Sequence, residues 1–274
     1  MFRVLFNALL LWAAVAAVGC MPEVPPPVKL NTAGVDPNVD YTALVEILAD
    51  GVTDDGLLVP DWLSDRETQL DRQLRLLAVT GPSVTPERFP TADSRLAYWY
   101  NARAAWSVKL AILGDYASEN WTLRQRRRRF TLDGREMSLQ EIDRILEDAG
   151  DWRILAAAPC ATLNRAPLPR EPFSADDVRG RIPMRIDTFL DSPKRFVIDV
   201  ENQTVRVPPV LWMLRESILD EYCRRYGCRR EGLTLTTALL PHAGPSATRR
   251  LQDAVGYDVV PSRKPGVMAL LEEL

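Results

Sequence analysis

Cys160 stands where a nucleophile could be held. The run Arg153-Ile154-Leu155-Ala156-Ala157-Ala158-Pro159 brings an apolar stretch up to it, and a polar loop with two prolines follows. Read as a buried strand with the thiol at its exit, this arrangement holds a side chain rigidly while letting it face a cleft. A free thiol titrates near ~8.5 and needs a base or an electropositive setting to react at neutral pH. His242 is the single histidine of the chain, so it is the only imidazole that can serve. Asn101 is the candidate orienter of that ring. Cys160, His242 and Asn101 form the candidate catalytic set, in an order along the chain that geometry-defined triads permit. Arg153 or Arg165 could instead stabilise a thiolate. Plainer readings stand beside these. Pro241-His242-Ala243-Gly244 reads as a loop ahead of a helix, which makes His242 a surface or capping residue. A cysteine after an apolar run also packs as a small hydrophobe.

Other chemistries have little to build on. The cysteines are Cys20, Cys160, Cys223 and Cys228, with no CxxC pair, so no metal site is expected. No phosphate loop or dinucleotide-binding turn occurs, so no cofactor is expected. A net charge of -3 gives no basic balance for nucleic acid. Cys223 and Cys228 flank Gly227, which can close a helix in the left-handed conformation and turn the second thiol back toward the first. They are the disulfide candidate, provided the compartment is oxidising.

The chain begins like an exported protein. Arg3 supplies a positive start, Val4 to Val18 is apolar except for Asn7, and Ala17-Val18-Gly19-Cys20 resembles a bacterial lipobox. Residues 1–20 read as a signal peptide, with Cys20 as the lipidation candidate. Plain secretion and an uncleaved anchor are the other possibilities. Residues 21–39 hold Pro22, Pro25, Pro26 and Pro27 and read as an extended linker. Met21 rather than aspartate follows Cys20, which by resemblance to enterobacterial lipoproteins implies the outer membrane. The expected location is the cell envelope, facing the periplasm or exterior, and the expected partner is the membrane, through the N-terminal lipid.

The remaining residues, 40–274, read as one globular domain, and 46% hydrophobic content suffices for one large core. The pattern is α+β, mostly helical with two β-hairpins and short strands around the Cys-bearing strand end. Helices are expected over Tyr41–Leu48, Trp62–Val79 with Ser64 and Glu67 as a capping box, and Ser94–Leu113. In the last of these, Leu96, Trp99, Arg103, Trp106 and Leu110 recur at helical spacing, a stripe that reads as core. Arg124 to Arg129 is a basic run interrupted only by Gln125. It is expected to form a solvated face, with contact to anionic lipid as the alternative. Phe130-Thr131-Leu132 and Arg135-Glu136-Met137 flank Asp133-Gly134, the pair favoured in a type I′ hairpin turn. Ser138 is expected to cap a helix through Leu146, with Glu141 as its box partner. Further helices are expected over Ser174–Leu190, broken or restarted at Pro183, and over Val210–Tyr226. Arg195–Asp199 and Thr204–Val207 read as the second hairpin. Leu233–Leu240 and Ser246–Val255 read as short helices, and Asp258-Val259-Val260 as a last strand.

Several of these segments together resemble the domain of unknown function 547 family of bacteria and plants. Tyr98-Trp99-Tyr100-Asn101-Ala102 is similar to its F-W-I-N-x-Y-N-A helix, and Ser138 to Leu146 to its S-L-x-x-I-E-x-x-I-L segment. Arg153-Ile154 with Cys160-Ala161 is similar to R-I-H-F-A-L-x-C-A-x-x-x-C-P-x-L. Arg195-Phe196-Val197 through Trp212 is similar to its hairpin and the tryptophan-bearing helix after it. The resemblance spans roughly residues 96–226. The family has no established activity. Trp99, Asn101, Arg153 and Cys160 carry over. Arg103 and Ala104 replace its second Tyr-Asn pair, Leu155 replaces its histidine, and Arg165 and Ala166 replace its second cysteine and the proline after it. If the motif is catalytic, the resemblance implies that this chain lacks its local base. Three functions remain open: a lipid-tethered binding or scaffolding domain for a protein or small molecule, a hydrolase or transferase using Cys160 with His242, and a small-molecule carrier in an aromatic cleft near Trp99 and Trp106.

Overall fold

Every residue from Leu96 to Ala111 is buried, although the segment includes Asn101, Arg103, Ser107 and Lys109. A helix buried on all sides belongs at the centre of a core. The computed structural model, which describes residues 24–37, 40–116, 121–262 and 269–270, packs the rest of the domain around it. Thr91 sets the start of this helix. Its hydroxyl accepts from the Ser94 N–H at 3.0 Å, and Ser94 Oγ accepts from the Thr91 N–H at 3.1 Å, closing a reciprocal cap.

In chain order the elements are α1 (Thr42–Gly51), α2 (Pro60–Asp65), α3 (Glu67–Val79) and the central α4 (Ala92–Leu113). Next come α5 (Trp121–Arg127), β1 (Phe130–Leu132), β2 (Arg135–Met137), α6 (Leu139–Glu147), α7 (Trp152–Ala156) and α8 (Val178–Asp191). The chain continues through β3 (Val197–Asp199), β4 (Thr204–Val207), α9 (Pro209–Met213) and α10 (Arg215–Tyr226). It ends with α11 (Leu235–Leu239), α12 (Pro245–Asp253) and β5 (Asp258–Pro261). The domain is α+β and mostly helical. Helices α3, α6 and α8 all pack on α4.

The first hairpin has the expected register. Phe130 pairs with Met137 and Leu132 with Arg135, and Asp133 and Gly134 both have positive φ, +52° and +72°, as a type I′ turn requires. In the second sheet β4 lies between β3, antiparallel to it, and β5, parallel to it. The last strand therefore widens the second hairpin into a three-stranded sheet. Ser138 caps α6 by accepting from the Glu141 N–H. The inward face of α6 carries Leu139, Ile142, Asp143 and Leu146, so a carboxylate enters the core beside apolar neighbours.

Several elements differ from the sequence expectation. The run before Cys160 is a helical turn, not a strand. Asp151 caps α7 by accepting from the Arg153 N–H at 3.0 Å, and alanine and leucine favour helix over strand. Strand-like pairing is confined to a bridge between Pro159 and Ala166. The expected helix over Trp62–Val79 starts at Pro60 and breaks at Arg66, so Ser64 lies inside α2 and caps nothing, its hydroxyl meeting that of Tyr116 at 3.3 Å. Val210–Tyr226 breaks at Leu214. Pro183 neither breaks nor begins a helix. It sits exposed within α8, where its ring can lie on the solvent side. Arg124–Arg129 is not a uniformly solvated face. Gln125 is buried, Arg126 pairs with Asp143, Arg128 donates to the Pro26 carbonyl, and Arg129 pairs with Glu141. Part of the linker is docked, because the Val28 N–H donates to the Arg129 carbonyl at 2.8 Å. The extended backbone that prolines favour suits that edge pairing. Residues 1–23, with the signal segment and Cys20, lie outside the described residues. Among the described residues, no helix is long and apolar enough to cross a membrane.

Candidate functional site

Asp143 is the charged centre of the domain. Its Oδ1 accepts from Arg103 Nε at 2.9 Å, and its Oδ2 accepts from Arg126 Nη2 and Arg165 Nη2, each at 2.8 Å. The three arginines come from α4, α5 and the loop after Cys160, and Asp143 comes from α6. The side chains of Arg103, Arg165 and Asp143 are almost wholly buried, while that of Arg126 is 29% exposed. Burial alone would raise the Asp143 carboxyl, but Arg103, Arg165 and Arg126 outweigh it and hold the group down at about 2. Burial pushes the Arg165 guanidinium down to about 10, with Asp143 opposing. For Arg103 the pull of Asp143, joined by Cys160, exceeds the effect of burial and moves it up.

Cys160 lies beside this cluster and is itself buried. Its N–H donates to the Ala166 carbonyl at 3.1 Å, which pins the two ends of the loop together, and the Ala161 N–H donates to Ser107 Oγ at 3.2 Å, which ties the loop to α4. Arginines hold the carbonyls of the same segment. Arg103 donates to Pro159, Arg185 to Ala157 and Pro167 at 2.7 Å each, and Arg195 to Arg165 at 3.3 Å. Thr162 Oγ1 lies 3.6 Å from the Cys160 sulfur, and Arg103, Arg165 and Arg195 interact with it electrostatically. A cavity of about 100 Å³ is lined by Cys160, Thr162, Asn164, Arg103, Arg126 and Arg165, with α9 along its edge. A broader groove of about 760 Å³ runs between α1 and α3, past Glu46, Gln69 and Arg72. Its described lining contains no cysteine or histidine.

The other sequence candidates have separate positions. Asn101 clasps the backbone of Phe173, its Nδ2 donating to the carbonyl at 2.8 Å and its Oδ1 accepting from the N–H at 2.7 Å. This double hydrogen bond fixes the chain after the Cys160 loop on α4. His242 ends a 3₁₀ turn at Leu240–His242 and packs edge-on against Trp152, ring centroids 5.0 Å apart. Burial lowers its pKa, Glu221 opposes that, and Arg153 and Arg225 reinforce it. Trp152 donates its indole N–H to Glu221, and Arg153 pairs with Asp151 and Glu221. His242 is not among the residues that line the Cys160 cavity. Trp106 stacks on Phe130 at 3.9 Å and Trp99 packs edge-on against Tyr98, both buried in the core. None of the described cavities includes either tryptophan. The Cys223 and Cys228 sulfurs lie 2.9 Å apart as free thiols, across Gly227 at φ +65°. Among the described residues no cluster of metal-ligating side chains occurs.

Sequence reasoning did not single out Asp143 or Arg126. The available signal was Arg103, a charged residue in the apolar stripe of α4, which implies a buried counter-charge. Searches against family models, curated proteins and solved structures found no match to this chain.

Proposed function

We propose that this protein is a lipid-tethered protein of the cell envelope, whose folded domain binds a ligand in the Cys160 cavity and performs no thiol chemistry. The observation that carries the reading of the site is the convergence of Arg103, Arg126 and Arg165 on Asp143 beside the thiol. The residues lining that cavity supply cations, a hydroxyl and an amide, and they include no imidazole or carboxylate to take a proton from Cys160. Such a set recognises charge; it is not the nucleophile–base pair that acyl transfer requires. The tether is supported by the sequence around Arg3 and Cys20. Pro26 is held to the domain by Arg128, and the six-residue step from Cys20 to Pro26 can reach at most roughly 20 Å, so a lipid on Cys20 would tether the domain closely.

A second reading, cysteine-dependent catalysis, has one specific observation in its favour. Arg103 and Arg165 line the same cavity as Cys160, and reactive cysteines sit in electropositive surroundings of that kind. The experiment is iodoacetamide labelling of the folded protein against pH, with Cys160→Ala and His242→Ala beside it, and radiolabelled palmitate incorporation with Cys20→Ser. The expected outcome is slow labelling of Cys160, unchanged by His242→Ala, and palmitate in the wild type alone. Fast labelling that His242→Ala slows would overturn the non-catalytic reading. Equal palmitate in wild type and Cys20→Ser would overturn the tether.

A further inference from the structure

The Asp143 cluster is left unbalanced. A guanidinium carries five N–H donors in a fixed fork, and Asp143 occupies one nitrogen of each arginine. Arg103 Nη1 is used on the Pro159 carbonyl. Arg103 Nη2, Arg126 Nε and Arg165 Nη1 are buried and have no nitrogen or oxygen partner, and the Arg103 guanidinium also faces the Cys160 thiol. All three residues line the same cavity. Three guanidinium charges against one carboxylate leave two positive charges in surplus, and arginine stays protonated across the physiological range. Nearby Arg185 and Arg195 are also buried, and both donate to backbone carbonyls around the loop. They add positive potential, offset in part at Arg195 by Asp55.

From this geometry we infer that the Cys160 cavity binds a small, doubly charged tetrahedral oxyanion of the phosphate or sulfate class. The inference rests on the reading of this cavity as a ligand site. Two negative charges match the surplus. Four oxygens can accept the unused donors of three guanidinium groups that approach from different elements, in the forked geometry that suits phosphate. The buried Thr162 hydroxyl and the Asn164 amide line the same space and can hydrogen-bond the remaining oxygens. A monocarboxylate leaves one charge uncompensated. Size sets the upper limit, since about 100 Å³ is smaller than the ~150 Å³ cavity that encloses benzene. The site therefore takes an anionic head group and no nucleoside. Partly exposed Arg126 and Met213 mark the side on which such a group enters.

The test is isothermal titration calorimetry of the full chain in detergent, at constant ionic strength, with inorganic phosphate, sulfate, acetate and glycerol phosphate in turn. Saturable binding of phosphate and sulfate, with acetate at least tenfold weaker, is expected. Equal binding of glycerol phosphate identifies the head of a larger molecule as the source. Binding of the inorganic ions alone identifies a free anion. Both results support the oxyanion class. Arg126→Gln removes the partly exposed arm, the change the fold tolerates most readily, and should weaken phosphate about tenfold or more. Arg165→Gln is the deeper companion variant. Absence of saturable phosphate and sulfate binding in the wild type, or binding undiminished in Arg126→Gln, would overturn the inference. Slow Cys160 alkylation with no oxyanion binding removes the ligand class and leaves a ligand cavity. Fast, His242-dependent alkylation with phosphate binding that Arg126→Gln weakens removes the non-catalytic reading and leaves the oxyanion site.

Discussion

Two buried cations on α4, Arg103 and Lys109, end in clusters of opposite balance. Lys109 Nζ meets two carboxylates, Glu67 Oε1 at 2.6 Å and Asp71 Oδ1 at 2.5 Å. Arg103 meets one carboxylate that it shares with two further arginines. The surroundings differ as well. Glu67 and Asp71 are 40% and 26% exposed, so water helps to solvate the extra negative charge. At Asp143 the charges of Arg103 and Arg165 have almost no water to spread into. The lysine cluster is a fastening between α3 and α4 that solvent completes. Among the described residues the arginine cluster keeps a surplus of positive charge, and that surplus is what the proposed oxyanion site rests on.

The strongest test of this contrast removes Asp143. Asp143→Asn deletes the carboxylate that pairs with all three guanidinium groups without changing the volume. Breaking one partner of a buried ion cluster costs about 3–5 kcal/mol. Urea denaturation followed by tryptophan fluorescence should show a loss of that size with little change in the slope against denaturant. A loss below ~1 kcal/mol would mean that water already reaches the arginines and that their surplus charge is dissipated.

Neither cluster was legible in the sequence. Local signals carried over well. The Asp133-Gly134 turn, the Ser138 cap and the Gly227 terminus each depend on a few adjacent residues, and the fold reproduces them. The apolar stripe of α4 also showed that Arg103 shares a face with Trp99 and Trp106. The partners of Arg103 did not show, because positions 103, 126, 143 and 165 belong to four separate segments with no common period. Asp143 follows Ile142 on the buried face of α6, and nothing local distinguishes it from a solvated acid. The strand expected before Cys160 failed for a different reason. A short apolar run bounded by proline suits a buried strand or a helical turn equally, and Asp151 decided it as an N-cap.

Acid offers a milder perturbation of the same carboxylate. In the unfolded chain an aspartate titrates near ~3.9, whereas the three arginines hold Asp143 at about 2 against the opposing effect of burial. The folded value is the lower one, so this group's contribution is fully present above about pH 4 and is lost as pH falls toward 2. The linkage amounts to about 2–3 kcal/mol. Stability measured at intervals between about pH 5 and pH 2 should therefore fall more steeply for wild type than for Asp143→Asn over that window. Parallel curves would show that other carboxylates govern acid unfolding and that the Asp143 cluster is not held as tightly as its geometry implies.

The smallest effect belongs to the lysine cluster, and it sharpens the comparison most directly. Lys109→Met keeps an unbranched side chain of similar length in a site that is 3% exposed, and it leaves Glu67 and Asp71 to solvent. Those two carboxylates already touch water and can rehydrate, so the loss should be about 1 kcal/mol, in the range of a partly exposed pair. It should also respond to salt. Near 1 M ionic strength the screening length falls to ~3 Å. In sodium chloride the stability gap between wild type and Lys109→Met should then shrink, while the gap between wild type and Asp143→Asn should hold, because bulk salt screens buried charges only weakly and monovalent chloride does not stand in for a doubly charged oxyanion. A Lys109→Met loss as large as that of Asp143→Asn, and equally indifferent to salt, would erase the distinction. Both cations would then be ordinary buried ion pairs, and the surplus charge beside Cys160 would no longer mark that cavity out.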